Sequence, residues 1–197
     1  LALKEGKVVG RVAGIINNRA NEKWGTKDVR FGWIDFIDDI EVSKALLKAV
    51  EDYGKEKGMD SIVGPLGFTD MDPEGMLTWG FDQLGTMATS YNYDYYPKHM
   101  EKLGGWEKDN DYVEYRLDVP ETAPEKYTKI AEMVEKRYNL HARKLTKKDI
   151  FEGGYGKKLF DLINVTYSHL YGFSELSERK IDQYVKMYFP LADLDLI

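Results

Sequence analysis

The sequence predicts an α/β (α+β) chain: a mixed, largely antiparallel sheet flanked by helices, with a helical region after it. Three observations carry this. An apolar run over residues 29–37 leads straight into a helical-period stripe at Val42, Ala45, Leu46, Ala49, Val50 and Tyr53, the pattern of a strand followed by an amphipathic helix packed on a sheet. Ahead of it, residues 1–3 and 7–17 flank a Glu5-Gly6 turn and read as a hairpin. Beyond residues 120–124, PETAP, helical periods dominate.

Residues 17–28 are polar around a single Trp24 and read as a loop. In the strand over 29–37, Phe31, Trp33 and Asp35 should share one face and Gly32, Ile34 and Phe36 the other, since side chains alternate. Gly58 is placed to stop the following helix. Residues 60–64 give a short strand. A long irregular segment over 65–93 includes one short helix opened by Asp72 and Pro73. Residues 95–103 read as a helix and 112–119 as a strand. PETAP divides the chain into domains 1–120 and 121–197. In the second part, helices are expected over 125–138, after a Thr146/Asp149 capping box, and after Ser177, with a strand over 140–145 and a break at Gly153-Gly154.

The chain has 197 residues, 43% of them apolar, enough for a sizeable core. Its net charge of −6 argues against nucleic-acid or anionic-membrane partners, which need basic patches. No cysteine is present, which removes disulfides, thiolate nucleophiles and Cys-ligated zinc and fits a reducing, cytoplasmic setting. No apolar run approaches the roughly 20 residues of a membrane span. Both ends resemble strands cut in mid-sequence, so a longer protein is expected.

The junction over residues 38–43 is the most informative place. Free N–H groups and the dipole at a helix start favour an anion. Here the junction carries Asp38, Asp39 and Glu41. Asp38 and Glu41 can cap the helix themselves, using the amides a phosphate would use. At about 4 Å each like-charge contact costs about 1 kcal/mol in water and about 4 at a surface-like dielectric. A metal ion on these carboxylates is not expected; capping explains them. His99 is a candidate acid or base, since imidazole titrates near neutrality. Tyr91, Tyr93, Tyr95 and Tyr96 read equally well as a cleft lining or as packing of a long loop.

Gly6-Lys7-Val8-Val9-Gly10-Arg11, the helix from Ala45-Leu46-Leu47 to Gly58, and YYPKHMEKLGGW over 95–106 resemble the GNAT superfamily of acyl-CoA N-acyltransferases. Residues 139–149, NLHARKLTKKD, resemble the opening of a second such domain. The resemblance implies a tandem GNAT-like protein that transfers an acyl group from acetyl-CoA or another acyl-CoA to a small-molecule amine or a peptide. Apart from the resemblance, the amphipathic C-terminal helices give a further expectation, a homodimer or domain-pairing element. The resemblance also implies a cofactor strand and loop at Ile34, Phe36, Ile37, Asp38, Asp39 and Ser43. The family's Arg/Gln-x-x-Gly-x-Gly/Ala pattern is replaced here by Asp38, Glu41 and Ser43. It further implies a polarising strand amide within 34–37, and a base for the amine at Asp35, Glu41 or a water. The helix that carries a Tyr acid in many members reads His99-Met100-Glu101, with Tyr95 and Tyr96 about one turn earlier. The rival expectation is a degenerate binding or scaffold module with a Tyr-rich cleft.

Overall fold

The computed structural model describes residues 1–86 and 89–196. Strands β1 (Ala2–Lys4) and β2 (Lys7–Ile15) form the expected antiparallel hairpin. Glu5 and Gly6 connect them with φ of 53° and 76°, the two left-handed residues that a tight hairpin turn needs to match strand twist. β2 pairs antiparallel with β3 (Asp28–Phe36), and β3 pairs parallel with β4 (Ser61–Val63), giving the order β1-β2-β3-β4. A parallel pair requires a crossover. Helix α2 (Ile40–Glu56) supplies it and packs on β2 and β3. The mixed, largely antiparallel sheet with flanking helices is the predicted fold class.

Helix α1 (Asn18–Trp24) occupies the segment expected to be a loop. It buries only Ala20, so there is no apolar stripe to read. Its signals are the two ends: the Asn17 side chain accepts from Ala20 N–H, and Gly25 closes it at φ 68°. α3 (Tyr95–Leu103) lies as expected. Asp72 and Pro73 do not start a helix. The Asp72 carboxylate instead accepts from the N–H groups of Phe68 and Thr69, at 3.0 and 2.9 Å, and so ties a turn backwards.

The apolar face of α2 is rotated from the predicted one. Val42, Leu46, Leu47 and Val50 are buried against Val29, Phe31, Ile34, Phe36 and Tyr96. Ala45, Ala49 and Tyr53 instead line an apolar groove of about 350 Å³ with Val12 and Gly14.

Two packing units emerge among the described residues. The first comprises Leu1–Asp111 with Ile163–Leu176 and holds the sheet; the second comprises Tyr112–Leu162 with residues 177 onward. The second contains α4 (Glu125–Tyr138), α5 (Lys147–Phe151) and α7 (Glu178–Tyr188), while α6 (Tyr155–Thr166) has residues in both. The Thr146/Asp149 capping box and the Ser177 cap form as read from sequence. Ile150, Phe160, Ile181, Tyr184 and Phe189 are buried in the second unit. The strands expected over 112–119 and 140–145 do not form. Tyr115, Leu117 and Val119 are at least 80% exposed, and an alternating pattern makes a strand only when a neighbouring edge pairs with it.

Candidate active site at the end of strand β3

Strand β3 contains a bulge. Arg11 faces Asp35 and Ala13 faces Gly32, so Trp33 and Ile34 together oppose Val12. Trp33 takes φ 46° to make this possible. The extra residue moves the strand's faces by one. Val29, Phe31, Ile34 and Phe36 all reach the same core, and Trp33 and Asp35 are turned outward. The predicted grouping of Phe31 with Trp33 and Asp35 is therefore corrected: strict alternation fails where one strand gains a residue.

The two edges of β3 differ. Pairing with β4 covers only Asp28, Val29 and Arg30, extended by Leu66 N–H donating to Phe31 C=O at 2.9 Å. Beyond that, α3 takes over. Phe36 N–H donates to the Tyr96 hydroxyl at 3.2 Å, and the Tyr95 hydroxyl donates to Phe36 C=O at 2.6 Å. Two phenols thus hold a strand edge that a further strand or an extended ligand would otherwise hold. Phe36 stacks on Tyr96 at 4.1 Å between ring centroids. An aromatic ladder continues outward from Tyr95 to Tyr93 and Tyr91, the last two more than 60% exposed. Burial raises the pKa of both Tyr95 and Tyr96, which keeps the phenols protonated.

At the start of α2 the cap is Asp39, not the Asp38 expected from the sequence. Asp39 Oδ1 accepts from Glu41 N–H at 3.1 Å, and its carbonyl accepts from Val42 and Ser43 N–H. Lys4 on β1 binds its other carboxylate oxygen at 2.9 Å. This lysine, and next the Glu41 amide, lowers the Asp39 pKa. Three amides of the first turn are therefore engaged by one residue, under three carboxylates. A pyrophosphate needs bare amides and positive potential, so these residues do not fit the phosphates of CoA at this place. Glu41 points to solvent, 4.0 Å from Lys44.

His99 lies on the inner face of α3 and is 2% exposed. Its Nδ1 is 2.9 Å from Ser43 Oγ and its Nε2 is 2.9 Å from Asp38 Oδ1. The ring stacks on Phe36 at 5.3 Å. Ser43 is fully buried, and its hydroxyl also lies 3.0 Å from Ile40 C=O. The Asp38 side chain is 68% exposed. Ser, His and Asp are thus linked, but inside out compared with a hydrolase: the serine is sealed and the carboxylate faces water. Ser43 cannot act as a nucleophile on any substrate that stays outside the core. Nothing in the sequence links residues 43 and 99; only the return of α3 onto α2 brings them together.

Of the other predicted positions, Ile34 is buried in the core, Ile37 is 44% exposed, and Asp35 pairs with Arg11 at 2.6 Å on the surface. Asp38, Ser43, Phe36, Tyr95, Tyr96 and His99 are brought together; Asp35 touches that set from the surface through Tyr96, and Glu41 lies outside it. Among the described residues no cluster of three metal-type side chains occurs.

A second group of charges lies at the opposite end of β3. Arg30 is 6% exposed and donates to Gly67 C=O at 3.1 Å and Gly172 C=O at 3.4 Å. Its charge acts on the half-buried Asp70 and Glu74. Burial, and then the neighbouring Asp70, raises Glu74 to about 7.

Comparison with known proteins finds two curated relatives and assigns no family. No protein-family model matches the chain, and no solved structure matches it. Among curated proteins, it is 25% identical to a bacterial ceramide synthase of Caulobacter vibrioides over 209 aligned residues, covering all of this chain and 50% of that protein. It is 35% identical to Protein YghO of Escherichia coli over 104 residues, covering 53% of this chain and 27% of that protein. The chain thus spans half or less of the curated relatives it matches. Among the described residues no helix is long and apolar enough to cross a membrane. What is established is a mixed sheet with flanking helices in a chain similar, over its whole length, to a ceramide synthase.

Proposed function

We propose that this chain belongs to an N-acyltransferase of GNAT-like design, which transfers an acyl group from a thioester to an amine beside the free edge of β3. The observation that carries this is the bulged, half-paired β3 running into α2, together with full-length similarity to a ceramide synthase. A ceramide is a fatty amide of a long-chain amino alcohol, so its synthesis from an activated acyl group makes one amide bond. The acceptor class is accordingly a long-chain primary amine. Ile37 N–H is taken up by Val9 C=O in the β2 pairing. Within residues 34–37 the candidate for polarising the thioester carbonyl, in the manner of an oxyanion hole, is therefore Phe36 N–H once a ligand displaces the Tyr96 hydroxyl from it. The aromatic ladder from Tyr91 to Tyr95 offers an apolar wall for an alkyl chain. The test supplies the native protein carrying this chain with hexadecanoyl-CoA, or hexadecanoyl acyl carrier protein, and sphinganine. Amide and free thiol should appear in equal amounts. Thiol release without amide, or neither product, contradicts the proposal.

A second function is favoured by one specific observation, the engagement of the first-turn amides of α2 by Asp39. In it, this part keeps the fold, lacks the phosphate cradle, and serves as a binding module. Calorimetry with CoA separates the two. A doubly substituted Asp39→Ser, Glu41→Gly protein that gains CoA affinity where the parent has none supports the module.

A further inference from the structure

We propose that Asp38 is the proton acceptor for the amine substrate, and that His99 and Ser43 are the residues that position it; this rests on the N-acyl-transfer function proposed above. The geometry is that of a base oriented by a second group, which is in turn oriented by a third. Asp38 alone of the three reaches solvent. One oxygen of its carboxylate is held by His99 Nε2 at 2.9 Å. The histidine cannot swing away: Phe36 stacks on one side of it, Tyr95 lies 5.5 Å off between centroids, and Ser43 holds its far nitrogen.

A purely structural role accounts for part of this arrangement only. A buried imidazole needs partners for both nitrogens, and Ser43 serves one of them. The second partner is an exposed carboxylate, and pairs in contact with water add little stability. What the contact does achieve is a fixed direction for a carboxylate that sits two residues after Phe36, where the free edge of β3 ends. The same position explains why a helix start rich in carboxylates is useful here: the acceptor arrives as an ammonium ion.

The protons balance as follows. The ammonium loses one proton to water at the entrance. As the nitrogen lone pair bonds to the thioester carbonyl carbon, the nitrogen's second proton passes to Asp38. The C–S bond breaks, the sulfur leaves as thiolate, and Asp38 returns that proton to it. Amide, thiol and one released proton result, and no oxidant or reductant is needed.

Other charged groups face this relay. Asp39 lies close enough to interact with His99, and Lys4 on β1 neutralises Asp39. From α3, Tyr95 interacts with Asp38, and Tyr96 interacts with Asp35 of β3. Among the described residues, none of these exchanges a hydrogen bond with the outer oxygen of Asp38, and that oxygen is the one that receives the amine proton.

The test uses the native protein with hexadecanoyl-CoA, or the carrier-protein thioester, and sphinganine. Asp38→Asn should lower kcat/KM by about 10²–10⁴-fold. His99→Gln, which can keep an N–H toward Asp38, should retain most of the rate, whereas His99→Ala should lose it. ¹⁵N spectra of the imidazoles give a readout that needs no substrate. The chain has three histidines, and Asp38→Asn should move the His99 signals while leaving those of His141 and His169 in place. An active parent whose Asp38→Asn variant keeps the parent's rate overturns this proposal and leaves N-acyl transfer standing. A parent that makes no amide from either donor overturns the N-acyl-transfer function, and this proposal with it.

Discussion

The two ends of strand β3 handle charge in opposite ways. At the Phe36 end every carboxylate has a cation or an imidazole: Asp35 has Arg11, Asp39 has Lys4, and Asp38 has His99. At the Arg30 end one guanidinium faces two half-buried carboxyls, and burial lifts the pKa of both Asp70 and Glu74. The first end is a set of fixed, directed charges, suited to handling a proton from outside. The second donates to carbonyls of Gly67 and Gly172, and so stitches the 64–75 loop and the 163–176 segment to the sheet.

The contrast can be broken by substitution. The largest stability effect should come from His99→Ala, which empties a buried site stacked on Phe36 and strips Ser43 and Asp38 of their partner. A loss of about 3 kcal/mol is expected in denaturant unfolding. Gly32→Ala follows, since the added methyl would meet Leu66 C=O at 2.4 Å. About 2 kcal/mol should be lost, and an unchanged midpoint would show that the 64–75 loop is not pressed against β3. Tyr96→Phe strands the Phe36 N–H in a buried place and should cost about 1–2 kcal/mol. Tyr95→Phe, on the more open side, should cost about 1 kcal/mol or less.

One further effect sharpens the comparison by its pH dependence. The folded-state pKa of Glu74 lies above its ordinary 4.5, at about 7. Between these values the unfolded chain releases a proton that the folded chain keeps, so stability falls as pH rises through this window. Glu74→Gln should match the parent near pH 4 and exceed it near pH 8 by about 1–2 kcal/mol, after damping for partial exposure. Thermal melts at the two pH values check this, and an equal difference at both would contradict it.

Much of the fold was legible because its signals are local. The Glu5-Gly6 turn, the helix over 95–103, the Thr146/Asp149 box and the Ser177 cap each depend on a few neighbouring residues. The bulge at Trp33 was not legible, because alternation assumes one residue opposite one, and nothing in the local sequence marks the extra one. The rotation of α2 was not legible either: Leu47 turns into the sheet core and Ser43 turns in to meet His99 of α3, a polar contact that an apolar pattern does not mark. Residues 112–119 alternate like a strand, but a strand also needs a partner. At the candidate site, His99, Tyr95, Tyr96, Asp38, Asp39 and Ser43 are all candidates from sequence. Their pairing is not legible there: Ser43 lies 56 positions from His99, and Lys4 lies 35 from Asp39.

The central claim is that the Phe36 end of β3 is where an acyl thioester lies. Amide hydrogen exchange tests it most directly, because Phe36 N–H is now held only by a tyrosine hydroxyl. Adding hexadecanoyl-CoA, or the carrier-protein thioester, to the native protein should change the exchange of peptides covering residues 33–38 and leave those around Arg30 unaltered. Thioester binding, seen by calorimetry, with no change in exchange over residues 33–38 would contradict it.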